Sequence, residues 1–198
     1  MKLSLNLFFL FLCSAAWCAE PLVNSVLPRG GQRDSEETVL LKGNRLLNPE
    51  AIFFYTKGIT ATNLELKSTK EIKATFKISK DAQLGQHEFR LRTKNGMSKL
   101  WTFWVGPFPN LQEEEPNSSF EEAQPVPTEI TVNGTITNED VDYFEINATK
   151  GQRISVEIEA IRLSGAMFDP YVAILDAKRF ELAASDDSEL LLQDSNTS

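Results

Sequence analysis

Glu113, Glu115 and Asn117 alternate along one stretch of the chain, and Asp140 and Asp142 alternate along another. In an extended backbone alternate side chains share a face, and Pro116 biases Glu115 towards that conformation. Each stretch therefore presents oxygen atoms as a set: two carboxylates and an amide from the first, two carboxylates from the second. If Phe144 and Ile146 face a core, Asp142 stands at its rim, where an unpaired carboxylate is costly. Calcium takes about six to eight oxygens, which two passes of chain can supply with help from backbone carbonyls. The same residues also fit a solvated charge run from Glu113 to Glu115 and a turn capped by Asp140. There is no Asp-x-Asp-x-Asp-Gly loop, which excludes an EF-hand.

Other chemistry is sparse. His87 is the only histidine and begins a strand whose inward face carries Phe89 and Leu91, so a structural role is expected for it. Glu157 and Glu159 share an outward face, as alternating strand charges do routinely. Asp169-Pro170 and Asp186-Asp187 read as turns. No nucleophile elbow, zinc-protease helix, phosphate loop or dinucleotide fingerprint occurs. The expectation is a protein that is not an enzyme.

Residues 1–19 read as a secretory signal peptide: Lys2, an apolar run from Leu3 to Leu12 too short to span a bilayer, and a small-residue exit through Cys18-Ala19. Lipidation at Cys18 is the alternative to plain secretion. Both cysteines, Cys13 and Cys18, lie in this segment, so the mature chain has no disulfide framework and no thiolate site. The expected location is secreted, periplasmic or in the cell envelope, with no transmembrane segment after cleavage.

The 198 residues carry a net charge of −8, unevenly divided. Glu20 to Asn110 holds 14 Lys/Arg and 9 Asp/Glu, a net of +5; Leu111 to Ser198 holds 5 and 19, a net of −14. This division implies two units with different surfaces, and nucleic acid is excluded as a partner of the second.

The elements that must position these residues are strands. Ile72, Ala74, Phe76 and Ile78 alternate with Lys73, Thr75 and Lys77; Phe89 and Leu91 alternate with Glu88, Arg90 and Arg92. Lys94-Asn95-Gly96-Met97 predicts a hairpin with a primed turn centred on Asn-Gly, and the returning strand buries Trp101, Phe103 and Val105. Leu22–Leu27, Thr38–Lys42, Ile52–Tyr55 and Ala61–Leu66 complete about seven short strands, the spacing of an immunoglobulin-like sandwich. The prolines of 106–112 form a stiff linker. Beyond it, Ile154 to Ala160, Tyr171 to Leu175 and Phe180 to Ala184 read as further strands, and no helix-period segment of useful length appears. The fold class is all-β.

Two resemblances refine this. Pro21, Gly43-Asn44-Arg45-Leu46, Gly96 and Phe103-Trp104-Val105 resemble the IPT/TIG family of immunoglobulin-like domains, placing such a domain at 20–105. Glu113-x-Glu115-Pro116-Asn117-Ser118-Ser119-Phe120-x-x-Ala123, Gly134-Thr135-Ile136, Asp140-Val141-Asp142-Tyr143-Phe144, Lys150-Gly151-Gln152, Asp169-Pro170 and Asp186-Asp187 resemble the bacterial pre-peptidase C-terminal (PPC) domain, placing one at 113–198. The second resemblance implies a jelly-roll-like β-sandwich in a non-catalytic appendage of secreted proteases and envelope proteins. It implies calcium at Glu113, Glu115, Asn117, Asp140 and Asp142, with Ser118 where relatives often carry an aspartate. The family pattern runs on past Asp186-Asp187 for two or three strands, so 113–198 is expected to be C-terminally truncated, with open ladder edges and an uncovered core face.

The expected function is a non-catalytic secreted module for adhesion or substrate targeting, calcium-stabilised, with an extracellular protein or polysaccharide as partner. The alternative is the N-terminal part of a longer secreted protease or other hydrolase whose catalytic domain lies beyond residue 198.

Overall fold

A computed structural model describes residues 19–137, 139–160, 169–186 and 196–197. Residues 1–18 lie outside this set, and with them the leader reading, as does Asp187. The protein is all β, as its alternating sequence requires. Among the described residues the only helical turn is a short 3₁₀ segment at Phe120–Glu122, and no helix is long and apolar enough to cross a membrane.

Nine strands precede the linker: β1 (Leu22–Leu27), β2 (Gly30–Gln32), β3 (Ser35–Asn44), β4 (Pro49–Phe54), β5 (Ile59–Ser68), β6 (Glu71–Ile78), β7 (Gly85–Thr93), β8 (Gly96–Met97) and β9 (Trp101–Gly106). They form two sheets, ordered β1-β3-β6-β5 and β2-β9-β7-β4, with β8 on β7. Pairing is antiparallel except where β2 runs parallel to β9. This is the two-sheet order of an immunoglobulin-type sandwich with its first strand split between the sheets.

Period-two alternation puts Ile72, Ala74, Phe76 and Ile78 of β6 against Phe89 and Leu91 of β7, all buried. Phe54, Phe76, Phe89 and Phe103 meet edge-on or tilted, with Phe54 and Phe76 centroids 5.0 Å apart and Phe76 and Phe103 5.1 Å apart. Each such ring stabilises the sandwich by about 1.5–3 kcal/mol through burial. The core cluster is drawn wholly from residues between Val23 and Val105.

Two local readings change. The Asn95-Gly96 hairpin forms, but Thr93 pairs with Gly96, so Lys94 and Asn95 are the central residues and Gly96 takes φ +133° in the strand. Ser98 continues that register opposite Leu91: its Oγ accepts from Leu91 N at 3.0 Å and its N–H donates to Leu91 O at 2.8 Å. The strand expected at Thr38–Lys42 runs further at both ends, so Gly43 lies inside β3. It pairs with Val23 at a bulge, and a Cβ there would collide with the Leu22 carbonyl oxygen.

The prolines restrain only the front of the 106–112 linker. Asn110–Gln112 forms β10, which pairs in parallel with β12 (Thr131–Asn133) and so belongs with the acidic half of the chain. The joint is also tied back to the first sandwich, because Asn110 Nδ2 donates to Gly30 O at 2.7 Å and to Glu37 Oε1 at 3.1 Å.

The jelly-roll-like sandwich expected for 113–198 is represented among the described residues by short two-stranded ladders. β11 (Gln124–Pro125) pairs in parallel with β13 (Phe144–Glu145), β14 (Val156–Glu157) pairs with β17 (Asn196–Thr197), and β15 (Val172–Leu175) pairs with β16 (Glu181–Ser185). Ile154, Val156 and Ile158 are half-buried and Ala160 buried, as alternation predicts, but only Val156–Glu157 makes a ladder. Phe144, Tyr171, Phe180 and Leu182 are exposed.

Candidate metal centre

The two acidic stretches meet. One carboxylate oxygen from each of Glu113, Glu115 and Asp142 lies within 4.8 Å of the others. Asp142 lies on the passage that returns from β12, and Glu113 comes directly after β10, so pairing of β10 with β12 is what carries the clusters towards one another.

The loop from Glu113 to Asn117 is not the extended strand that alternation suggests. β10 ends at Gln112, and carboxylate-to-backbone hydrogen bonds shape the rest, a local competitor to strand structure. Glu115 Oε2 accepts from Asn117 N at 3.0 Å. Glu113 Oε1 accepts from Asn117 Nδ2 at 3.1 Å, and Glu113 Oε2 accepts from Thr135 N at 2.8 Å. Tyr143 N donates to Asn117 O at 2.9 Å, which fixes the Asp142 backbone against the loop. Gln124, also buried, accepts from Glu114 N at 3.0 Å and donates to Gln112 O at 3.2 Å.

Asp140 departs from the expected set. Its Oδ2 accepts from Thr137 N at 2.8 Å and from Thr137 Oγ1 at 3.0 Å, capping a turn. It acts on the cluster as a nearby charge. Phe144 is exposed and Ile146 half-buried, so the rim position of Asp142 is set by the loop and not by a core face under Phe144.

The electrostatics are those of a site short of positive charge. Burial first, then the charges of Glu113 and Asp140, a hydrogen bond with Glu113 and the charge of Glu115, push the Asp142 carboxyl up to about 6. Among the described residues no Lys or Arg forms an ion pair with Glu113, Glu115 or Asp142. Two oxygens at the cluster, Asn117 Oδ1 and Asp142 Oδ1, are buried without a hydrogen-bond partner. Asn117 is fully buried. An orphaned amide oxygen beside three converging carboxylates is a hard-oxygen donor set, and it fits a calcium ion.

Sequence reasoning missed Gly134 and Thr135. A Cβ at Gly134 would stand 2.9 Å from Glu113 Oε2, so glycine there leaves room for the carboxylate to reach Thr135 N. The Asn133-Gly134 pair was a visible signal, and Asn133 ends β12 directly before the glycine. A second group packs alongside: Phe120 meets Tyr143 edge-on at 6.1 Å, and Arg179 lies over the Phe120 ring at 4.8 Å and pairs with Glu121.

His87 is buried, with Nε2 2.7 Å from Gln83 O and Nδ1 2.5 Å from Thr56 Oγ1. The carbonyl requires a proton on Nε2, and Nδ1 shares the other hydrogen bond with the threonine hydroxyl. Both ring nitrogens are occupied in a structural role.

No family model matches the chain, and no curated protein matches it. Among solved structures, one from Bacteroides ovatus, described as the mixed-linkage glucan utilization locus SGBP-B in complex with a mixed-linkage heptasaccharide, is similar at 18% identity and a TM-score of 0.35 over 55% of this chain. The chain spans 25% of that protein's length. A likeness of that degree fixes neither the fold nor the ligand of this chain.

Proposed function

We propose that this chain is an exported, non-catalytic accessory module: an IPT/TIG-like sandwich joined to a PPC-like unit that calcium stabilises, serving to target or anchor on an extracellular polysaccharide or protein. The observation that carries the calcium reading is the orphaned pair of buried oxygens, Asn117 Oδ1 and Asp142 Oδ1, in a carboxylate cluster that no described cation neutralises. Glu113, Glu115, Asn117 and Asp142 would hold the ion, and Asp140 would lend charge from outside. The ion would supply electrostatic cross-linking, not reactivity. It would tie the chain leaving β10 to the chain entering β13, close to the latch that Asn110 makes with the first sandwich.

The test is thermal unfolding of the full mature protein with calcium and with chelator. A ligand that binds only the folded state raises the melting temperature by linkage. Calcium at millimolar concentration is expected to raise it, magnesium to do so less, and Glu113→Gln to abolish the rise. Equal melting with calcium and with chelator would refute the proposal.

A further inference from the structure

The two outward faces of the first sandwich are built from different chemistry. On the β1-β3-β6-β5 sheet the outward positions are mostly lysines, threonines and glutamates, with Leu27 and Leu40 among them, and Lys77 pairs with Glu36 at 2.8 Å and Lys67 with Glu65 at 2.7 Å. That is an ordinary solvated face. On the β2-β9-β7-β4 sheet the outward positions include Arg90, Arg92, Phe53 and Trp104, with Gln86, Glu88 and Thr102 among them. Phe53 stands opposite Arg90, Ala51 opposite Arg92, and Tyr55 N donates to Glu88 O at 2.9 Å, which continues the ladder past the end of β4. Phe53 and Tyr55 alternate on one face and are 40% and 58% exposed.

Of the guanidinium groups there, Arg92 has a counter-charge and, among the described residues, Arg90 has none. Arg92 Nε bonds Glu50 at 2.9 Å while its plane lies 5.1 Å over the Phe53 ring. Arg90 reaches only the Ser98 carbonyl, at 3.5 Å, and its Nε is buried without a partner. Arg29 touches Thr102 Oγ1 at 3.3 Å and stacks on Trp101, and its Nε is likewise unpartnered. Among the described residues no carboxylate pairs with Arg29 or Arg90. Lys94, in the turn after β7, adds a positive charge, and Glu88 of β7 and Glu50 of β4 are the acids beside the arginines. A partly buried cation without a counter-charge is costly, and arginine is the side chain whose fork matches a carboxylate.

We infer that this face of the first sandwich binds an acidic, uronate-bearing polysaccharide, with Arg90 and Arg92 taking its carboxylates, Phe53 supporting the Arg92 guanidinium and the exposed Tyr55 ring taking the apolar face of a sugar. The inference rests on the targeting role proposed above and names its ligand class. An acidic peptide would satisfy the arginines but leave the exposed Tyr55 ring without a role. The acidic half of a second copy is the other competing occupant.

The test is calorimetric titration of the mature protein, in 1 mM calcium, with short hyaluronate and galacturonate oligomers. Binding is expected, weakening as salt rises. Arg90→Gln with Arg92→Gln should lower affinity at least tenfold, Phe53→Ser with Tyr55→Ser by a similar factor, and the double lysine variant by less, because charge survives while the fork is lost. Glu113→Gln should bind the sugar like wild type, which separates this surface from the calcium site. No affinity for either oligomer, equal affinity for a neutral β-glucan or for polyglutamate, or unchanged binding by the arginine variants would overturn the inference. So would sedimentation showing a dimer that the arginine substitutions dissolve. In each case a calcium-dependent melting shift would leave the module proposal standing.

Discussion

Asn117 donates its side-chain amide to Glu113 at 3.1 Å while the oxygen of the same amide, Oδ1, is buried and accepts nothing. One half of a single side chain orients a carboxylate and the other half waits on a donor or a cation. Asn117→Ala removes both. Calcium affinity is expected to fall at least tenfold, about 1.4 kcal/mol, whereas the calcium-free protein should lose only about 1 kcal/mol, since an unsatisfied group disappears with the lost bond. Parallel calcium titrations and denaturant melts in chelator measure the two.

Gly134→Ala tests the cradle. The new Cβ would press on the end of Glu113, a flexible side chain, at 2.9 Å from Oε2. The carboxylate is expected to swing away from Thr135, so calcium affinity should drop several-fold with little change in calcium-free melting. A matching loss of calcium-free stability would mean the residue serves the backbone instead.

Asp142 gives the calcium-free protein a pH dependence of definite sign. Its carboxyl rises from the ordinary 3.8 to about 6 on folding. Between those values the folded chain holds more protons than the unfolded chain, so stability falls as pH rises through that window and levels off above it. Asp142 is partly exposed, and solvent screening reduces the effect to on the order of 1 kcal/mol. Chemical melts in chelator from pH 4 to pH 8 should show the decline in wild type and a flatter profile in Asp142→Asn.

In the first sandwich, Gly43→Ala should destabilise by about 1–3 kcal/mol, because the collision is with the Leu22 backbone and not with a side chain that can turn away. A urea melt of the full chain would register it as a lower midpoint; no change would mean that the β1 bulge relaxes.

Legibility tracked periodicity. β1 forms over Leu22–Leu27 as expected, and the buried positions of β6 and β7 are those that alternation marks. Where partners are remote, the signal fades. Nothing in Glu113-Glu114-Glu115-Pro116-Asn117 announces that Thr135 N and Tyr143 N will bind the loop, so its turned shape was hidden although the convergence of Glu113, Glu115 and Asp142 was not. Asp140 looked equivalent to Asp142 by spacing and parted from it because Thr137, three residues back, offered two donors. The Asp176 turn was equally local and went unread: its Oδ1 accepts from Lys178 N at 2.7 Å and Phe180 N at 2.9 Å, joining β15 to β16. The arginine and aromatic face needed the register of β4 on β7 before Phe53 and Arg90 could be seen as neighbours.

Isothermal titration of the mature protein with calcium at pH 6 and pH 8, in buffers of different ionisation enthalpy, addresses the cluster most directly. One ion per chain is expected, with part of a proton released at pH 6, where Asp142 is half-protonated, and almost none at pH 8. Absence of binding heat at both pH values, or binding that survives Glu113→Gln and Asp142→Asn together, would contradict the metal centre.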